Sequence, residues 1–232
     1  MEVDIISIGA HPDDAEVGTG GVLVKMKKLG YSTGIIYLTQ GEMGTGGFPE
    51  LRKKEAVRAA KILGVDLVVD LDFGDCRLED NYKYRLKIAE LIRKFKPRVI
   101  LAPYPRGGHG KKQSHPDHLA AGKIVVNAAN YAMLKKLPIQ GEPYQVSAIF
   151  HYLLPTEVPP TFVVDITDEF DIWTEAVKAH KSQFQNPAKQ YDYLWFLESM
   201  VRGYGNHIGV KYGQGFSIGE PMKIENLFCL IE

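Results

Sequence analysis

Apolar positions along this chain fall into two rhythms that take turns. Short runs rich in Ile and Val, such as Val3–Ile8 bounded by Gly9, read as buried strands. Between them lie stretches with helical spacing. Val22, Leu23, Met26 and Leu29 recur along Gly20–Leu29, which stops at Gly30, a residue suited to the position just past a helix. Tyr31–Thr39 predicts a second strand, and Pro49–Leu63 a second helix opened by proline and closed by Gly64. Leu67–Leu71, Tyr82–Phe95 and Arg98–Ala102 continue as strand, helix and strand. Strands separated by helices need crossover connections, so the sheet is expected to be mostly parallel. The second half is less regular. A helix begins near Pro116 and runs through Ile124–Leu134; Val146–Leu153 and Phe162–Val164 read as strands, Phe170–Phe184 and Tyr191–Met200 as helices. No repeat, low-complexity stretch or linker divides the chain. The expected fold is α/β and Rossmann-like: one domain over residues 1–232, a mostly parallel sheet sandwiched by helices, with the active site at the carboxyl ends of the strands.

Composition narrows the partners. The 232 residues are 45% hydrophobic, enough for one well-buried core. Lys plus Arg and Asp plus Glu are 28 each, so no global field exists to hold a polyanion, and nucleic acid is not expected as a partner. No apolar run approaches the ~20 residues of a membrane span. Two cysteines, Cys76 and Cys229, are too few for a disulfide framework or a thiolate metal cage. The first residues read as a strand rather than a signal peptide, so a cytoplasmic location is expected.

The chemistry concentrates at two strand ends. His11-Pro12-Asp13-Asp14-Ala15-Glu16 follows the first strand and packs an imidazole beside three carboxylates. A turn with helix-capping aspartates explains one acid, not a histidine among three. Adjacent acids point in different directions, so one can bind a metal while the other stays free. That division suits metal-assisted hydrolysis, which needs a ligand and a separate proton acceptor. The second string, Ser114-His115-Pro116-Asp117-His118, ends the loop after the fourth strand. Proline at the first helical position puts His115 near the N-cap and His118 in the first turn, three residues apart on one side. A simple cap and a surface histidine are the plain alternative, weakened by the pairing of two His-Pro-Asp strings across one sheet edge. Gly41–Gly47 has no Gly-Lys-Ser/Thr after it, so it is not a P-loop and fits a flexible rim better.

Ala10-His11-Pro12-Asp13-Asp14-Ala15-Glu16 together with His115-Pro116-Asp117-His118 resembles the LmbE-like, or PIG-L, family of zinc deacetylases. Leu38-Thr39 with Gly41-Glu42, Leu51–Ala56, Ser182-Gln183-Phe184, Gly209–Tyr212 and Gly215-Phe216 agree with it. The resemblance leans towards the bacterial branch containing the N-acetylglucosaminyl-malate deacetylases of bacillithiol synthesis. It implies zinc (Zn2+) ligands His11, Asp14 and His118, with Fe2+ or Co2+ suiting the same donors, and Asp13 as general base. It implies His115 at the reacting carbonyl with Asp117 as its orienting carboxylate, Tyr212 near the oxyanion, and Arg52 in substrate binding. Relatives often carry an Arg where Ser114 stands here, leaving Arg106, Lys111 or Lys112 as its replacement. His207 is read as helping to shape the pocket, His109 as loop, and His151 and His180 as packing residues.

The resulting expectation is hydrolysis of the N-acetyl amide of an N-acetylglucosamine-containing small molecule, by a homo-oligomer, trimer or hexamer. A nucleotide-binding transferase is the first alternative, although acids stand where a glycine-rich phosphate cradle would be. A non-catalytic metal-binding module is the second, against which a free Asp13 beside the ligands argues.

Overall fold

The computed structural model describes residues 1–107, 115–185 and 192–226. In chain order it contains β1 (Ile5–Gly9), α1 (Asp14–Lys28), β2 (Thr33–Tyr37), α2 (Pro49–Leu63), β3 (Leu67–Asp70), α3 (Tyr82–Phe95), β4 (Val99–Pro103) and α4 (Pro116–Ala132). There follow β5 (Ala148–Tyr152), β6 (Phe162–Asp165), α5 (Phe170–Ala179), α6 (Lys181–Phe184), α7 (Tyr193–His207) and β7 (Gly213–Ile218). The sheet order is β3-β2-β1-β4-β5-β7-β6. β1 to β5 pair in parallel; β7 runs antiparallel to both β5 and β6.

The direction of winding reverses between β1 and β4, because β1, β2 and β3 step one way and β4 and β5 the other. At such a switch point the two departing loops leave a crevice at the carboxyl ends of the strands. The loops after β1 and β4 are the two that carry the His-Pro-Asp strings. Sheet alternation feeds two cores. Ile5, Ile35, Tyr37 and Leu101 pack with α1, α2 and α5, whereas Ile6, Ile8, Ile36, Ile100 and Ala102 pack with α3 and α4. Gly122 lets α4 settle on the end of β4; a Cβ there would lie 2.3 Å from the Pro103 carbonyl oxygen. No described helix is long and apolar enough to cross a membrane.

Three elements differ from the pattern-based expectation. Helix α1 starts at Asp14, not Gly20, because its first turns are buried on polar groups rather than apolar ones. Glu16 and Thr19 are fully buried, Thr19 donating to Ser7 Oγ at 2.9 Å. The long helix expected over Phe170–Phe184 breaks at His180, whose backbone (φ −80°, ψ 60°) leaves the helix and whose ring turns to Glu16. Strand β7 is absent from the apolar pattern because Gly213 and Gly215 dilute its β signal. Gly215 is needed there: a Cβ would lie 2.8 Å from the Tyr204 ring.

Candidate metal centre

Past Gly9 the chain turns sharply through His11, Pro12 and Asp13 before α1 begins. Asp13 holds φ at 124°, a conformation that costs a non-glycine residue on the order of 1–3 kcal/mol. Hydrogen bonds fix the turn. Val17 N–H donates to the Asp13 carbonyl at 2.9 Å, and the His11 N–H to Asp14 Oδ2 at 2.8 Å. Arg52, on α2, donates to the Pro12 carbonyl at 2.7 Å and to the Gly41 carbonyl at 2.9 Å.

This turn aims the two adjacent acids differently. Asp14 faces the second string: its Oδ1 lies 3.0 Å from His118 Nε2, and its Oδ2 3.3 Å from His11 Nδ1. One donor atom from each of His11, Asp14 and His118 falls within 4.8 Å of the others. Asp13 stays outside that group, its Oδ1 3.5 Å from the Arg52 guanidinium. Three nitrogen and oxygen donors without sulfur, beside a carboxylate outside the donor group, are the donor set of an open, catalytic-type metal site. The residues present therefore fit zinc or a similar divalent ion.

The orientation of His11 comes from residues around it. Its Nε2 lies 3.0 Å from Asp75 Oδ1 and 3.3 Å from Asp117 Oδ2. A proton on Nε2 satisfies both carboxylates and leaves the Nδ1 lone pair on the side of Asp14 and His118. Asp117 also accepts the Cys76 N–H at 2.7 Å, and Asp75 Oδ2 the Met43 N–H at 2.9 Å. The Asp117 carboxylate thus reaches His11, and one of its oxygens also lies within 4.8 Å of a ring nitrogen of His115. His115 is the N-cap of α4, where its Nδ1 accepts the Asp117 N–H at 3.2 Å. Asp75 had no place in the sequence reading, since it stands alone on the loop after β3 with no motif around it.

The electrostatics agree with a site built for positive charge. Burial disfavours a charged His11, but Asp117, Asp14 and Asp75 outweigh it and push the imidazole up to about 12. Burial, with Asp14 beside it, pushes Asp13 up to about 6 against the pull of Arg52, His180 and His11. Burial and the neighbouring charges of His11 and His118 lower His115, keeping its ring neutral.

The other expected site residues take different places. Arg52 is buried beside Asp13; its guanidinium donates to the Pro12 and Gly41 carbonyls and reaches Asp13, while its Nε has no hydrogen-bond partner among the described residues. Tyr212 is in the core, its ring stacked on Phe170 at 3.5 Å with Arg202 and Lys211 over it. It neighbours Ile166, which packs on Gly21 of α1, seven residues or about 10 Å of helix beyond Asp14. Arg106 is exposed in a groove with Val126, Asn130 and Ile149, apart from the cluster. His207 is exposed at the end of α7, which packs on β6 and β7. Ser114, His109, Lys111 and Lys112 lie outside the described residues. His151 is a packing residue, buried on the Pro103 carbonyl. His180 is more: fully buried, it meets Glu16 Oε1 at 3.1 Å, and Tyr37 donates to the same oxygen.

Because Asp75 orients a ligand, Asp75→Asn is expected to fold and to weaken metal binding about 10–100-fold. Competition with a chelator measures this. Unchanged affinity would leave the orienting role to Asp117 alone.

Comparisons with known proteins agree with this geometry. Residues 6–129 match the family model PIG-L, GlcNAc-PI de-N-acetylase. The crystal structure of the conserved protein TT1542 from Thermus thermophilus superposes with a TM-score of 0.86 at 40% identity, covering 96% of this chain and 97% of that one. Diacetylchitobiose deacetylase of Thermococcus kodakarensis is 33% identical over 225 residues, 91% of this chain and 81% of that protein. The probable N-acetyl-alpha-D-glucosaminyl L-malate deacetylase 2 of Bacillus cereus is 29% identical over 195 residues, 79% of this chain and 84% of that protein. With residues 6–129 matched by the family model and a 33% identical relative aligned over 91% of the chain, this chain belongs to the PIG-L family of de-N-acetylases.

Proposed function

We propose that this chain hydrolyses the N-acetyl amide of an N-acetylglucosamine-containing small molecule, releasing acetate and a free amino sugar. The observation that carries this reading is the division of labour after β1: Asp14 joins His11 and His118, while Asp13, one residue away, stays outside that group against Arg52. Zinc held by His11, Asp14 and His118 would supply a Lewis acid and lower the pKa of water towards ~7. Fe2+ and Co2+ suit the same donors.

Asp13 is placed to take the proton of the attacking water on its carboxylate, with Arg52 steadying the acceptor. His115 uses Nδ1 as an acceptor at the helix start, so its neutral ring carries the proton on Nε2 and can donate to the carbonyl oxygen as negative charge develops. The departing nitrogen needs a proton, which Asp13 or His115 returns.

A base must be ionised to accept a proton, so kcat/KM should fall on the acid side, about tenfold per pH unit below the pKa of Asp13. A nearby dication favours the ionised form, placing that limb at or below pH 6 or so. A limb centred clearly above neutrality in the pH–rate profile would belong to another group.

The substrate test is amine release by metal-loaded protein from N-acetylglucosamine, its chitobiose dimer and its malate conjugate. The relatives make the dimer the first to try. No release from any of the three would remove this reading. A cytoplasmic homo-oligomer, trimer or hexamer, remains part of the proposal, and light scattering measures the oligomer.

A further inference from the structure

The glycine-rich segment 41–48 between β2 and α2 is fastened at three places. At its start, Gly41 (φ 66°) gives its carbonyl to Arg52; a Cβ there would lie 1.7 Å from the guanidinium. In the middle, Met43 N–H donates to Asp75 Oδ2 at 2.9 Å, and Asp75 N–H donates to Glu42 Oε1 at 2.8 Å. Towards its end, the Gln183 side-chain amide donates to the Gly46 carbonyl, and Gly47 (φ 76°) comes so close to Ser182 that a Cβ would lie 2.8 Å from Oγ. Ser182 is itself held by Glu55 of α2, through its N–H at 2.8 Å and its hydroxyl at 2.6 Å.

The first two fastenings lead straight to the reacting groups. Arg52 also touches Asp13, and Asp75 also touches His11. The third has no contact with the metal cluster among the described hydrogen bonds. Its effect is to hold the return limb of the segment against α2 and α6. Along the segment two side chains face solvent, Met43 at 64% and Phe48 at 61% exposure. Polar bonds to backbone carbonyls at a glycine-rich turn fix its shape without filling the space a ligand needs.

We infer that Ser182 and Gln183 are positioning residues for the deacetylation proposed above: a latch that sets segment 41–48 as one wall of the sugar-binding crevice. They act through the segment: the described hydrogen bonds join them to Gly46 and Glu55.

The test compares Gln183→Met and Ser182→Ala with the parent, each metal-loaded. Gln183→Met keeps the length of the side chain and removes its donor; Ser182→Ala removes one hydroxyl and serves if the first variant folds poorly. Hydrogen exchange of segment 41–48 is read together with kcat and KM on the best substrate of the panel. The latch predicts faster exchange in the segment, metal content and melting temperature close to the parent, and kcat/KM lower by about 10–100-fold, mostly through KM. Rescue by Gln183→Asn, which retains an amide donor, would be partial. Exchange in the segment unchanged from the parent overturns the latch, as does faster exchange with KM unaltered. If the parent itself releases no amine from any panel member, the substrate reading fails, and exchange alone decides the latch.

Discussion

Asp13→Asn is expected to keep its metal at unchanged stoichiometry and to lose about 10²–10⁴-fold in kcat. The substitution is chosen for the backbone as much as for the chemistry. Asp13 sits at φ 124°, where most side chains are strained, and asparagine tolerates positive φ better than other non-glycine residues. Alanine at this position would mix a lost base with a disturbed turn, and that turn also aims Asp14. Asparagine keeps an oxygen for Arg52, whose guanidinium lies 3.5 Å from Asp13 Oδ1, so the contact with α2 survives. What disappears is the ability to take a proton. Metal analysis and steady-state kinetics on the same preparation separate the two effects. A metal-loaded Asp13→Asn protein with full turnover would remove Asp13 from the mechanism; loss of metal would make Asp13 a ligand.

Much of this site was readable because local rules apply at each strand end. Helices α2 and α3 have the bounds their spacing predicts, Pro49 and Gly64 marking the first of them. The cap position of His115 followed from Pro116 at the first helical position. Where the reading failed, the determinant was remote in sequence. Asp75 meets His11 across 64 residues, and His180 meets Glu16 across 164. Neither pair leaves a local spacing to detect. The carboxylate of Asp117 is expected at its neighbour His115; in the fold the Asp117 N–H meets His115 and the side chain also reaches His11, a contact across 106 residues. Tyr212 and Arg52 take their expected roles from resemblance, which carries position along the chain but not burial; in the fold Tyr212 stacks on Phe170, and Arg52 lies buried under the Gly41 turn beside Asp13.

His118→Ala is expected to lose stoichiometric metal and, with it, activity above background. Only three protein donors converge in this group, so deleting one leaves Asp14 and His11, and two donors hold zinc far more weakly than three. The fold should survive. His118 lies in the first turn of α4 with its side chain 21% exposed, and alanine is a strong helix former. The informative control is His115→Ala. His115 also belongs to a group of donors that come close together, with His11 and Asp117, so proximity alone does not say which histidine holds the ion. The reading proposed above takes His118, because His115 uses Nδ1 at the helix N-terminus and the Asp117 carboxylate also bonds His11 and the Cys76 N–H. His118 points its Nε2 at Asp14 instead. His115→Ala should therefore keep its metal, lose rate and, lacking the cap contact, melt lower by an amount corresponding to about 0.5–2 kcal/mol. Metal retained in His118→Ala but lost in His115→Ala would move the ion to the other side of His11, and Asp117 would then be a ligand rather than the group that orients one.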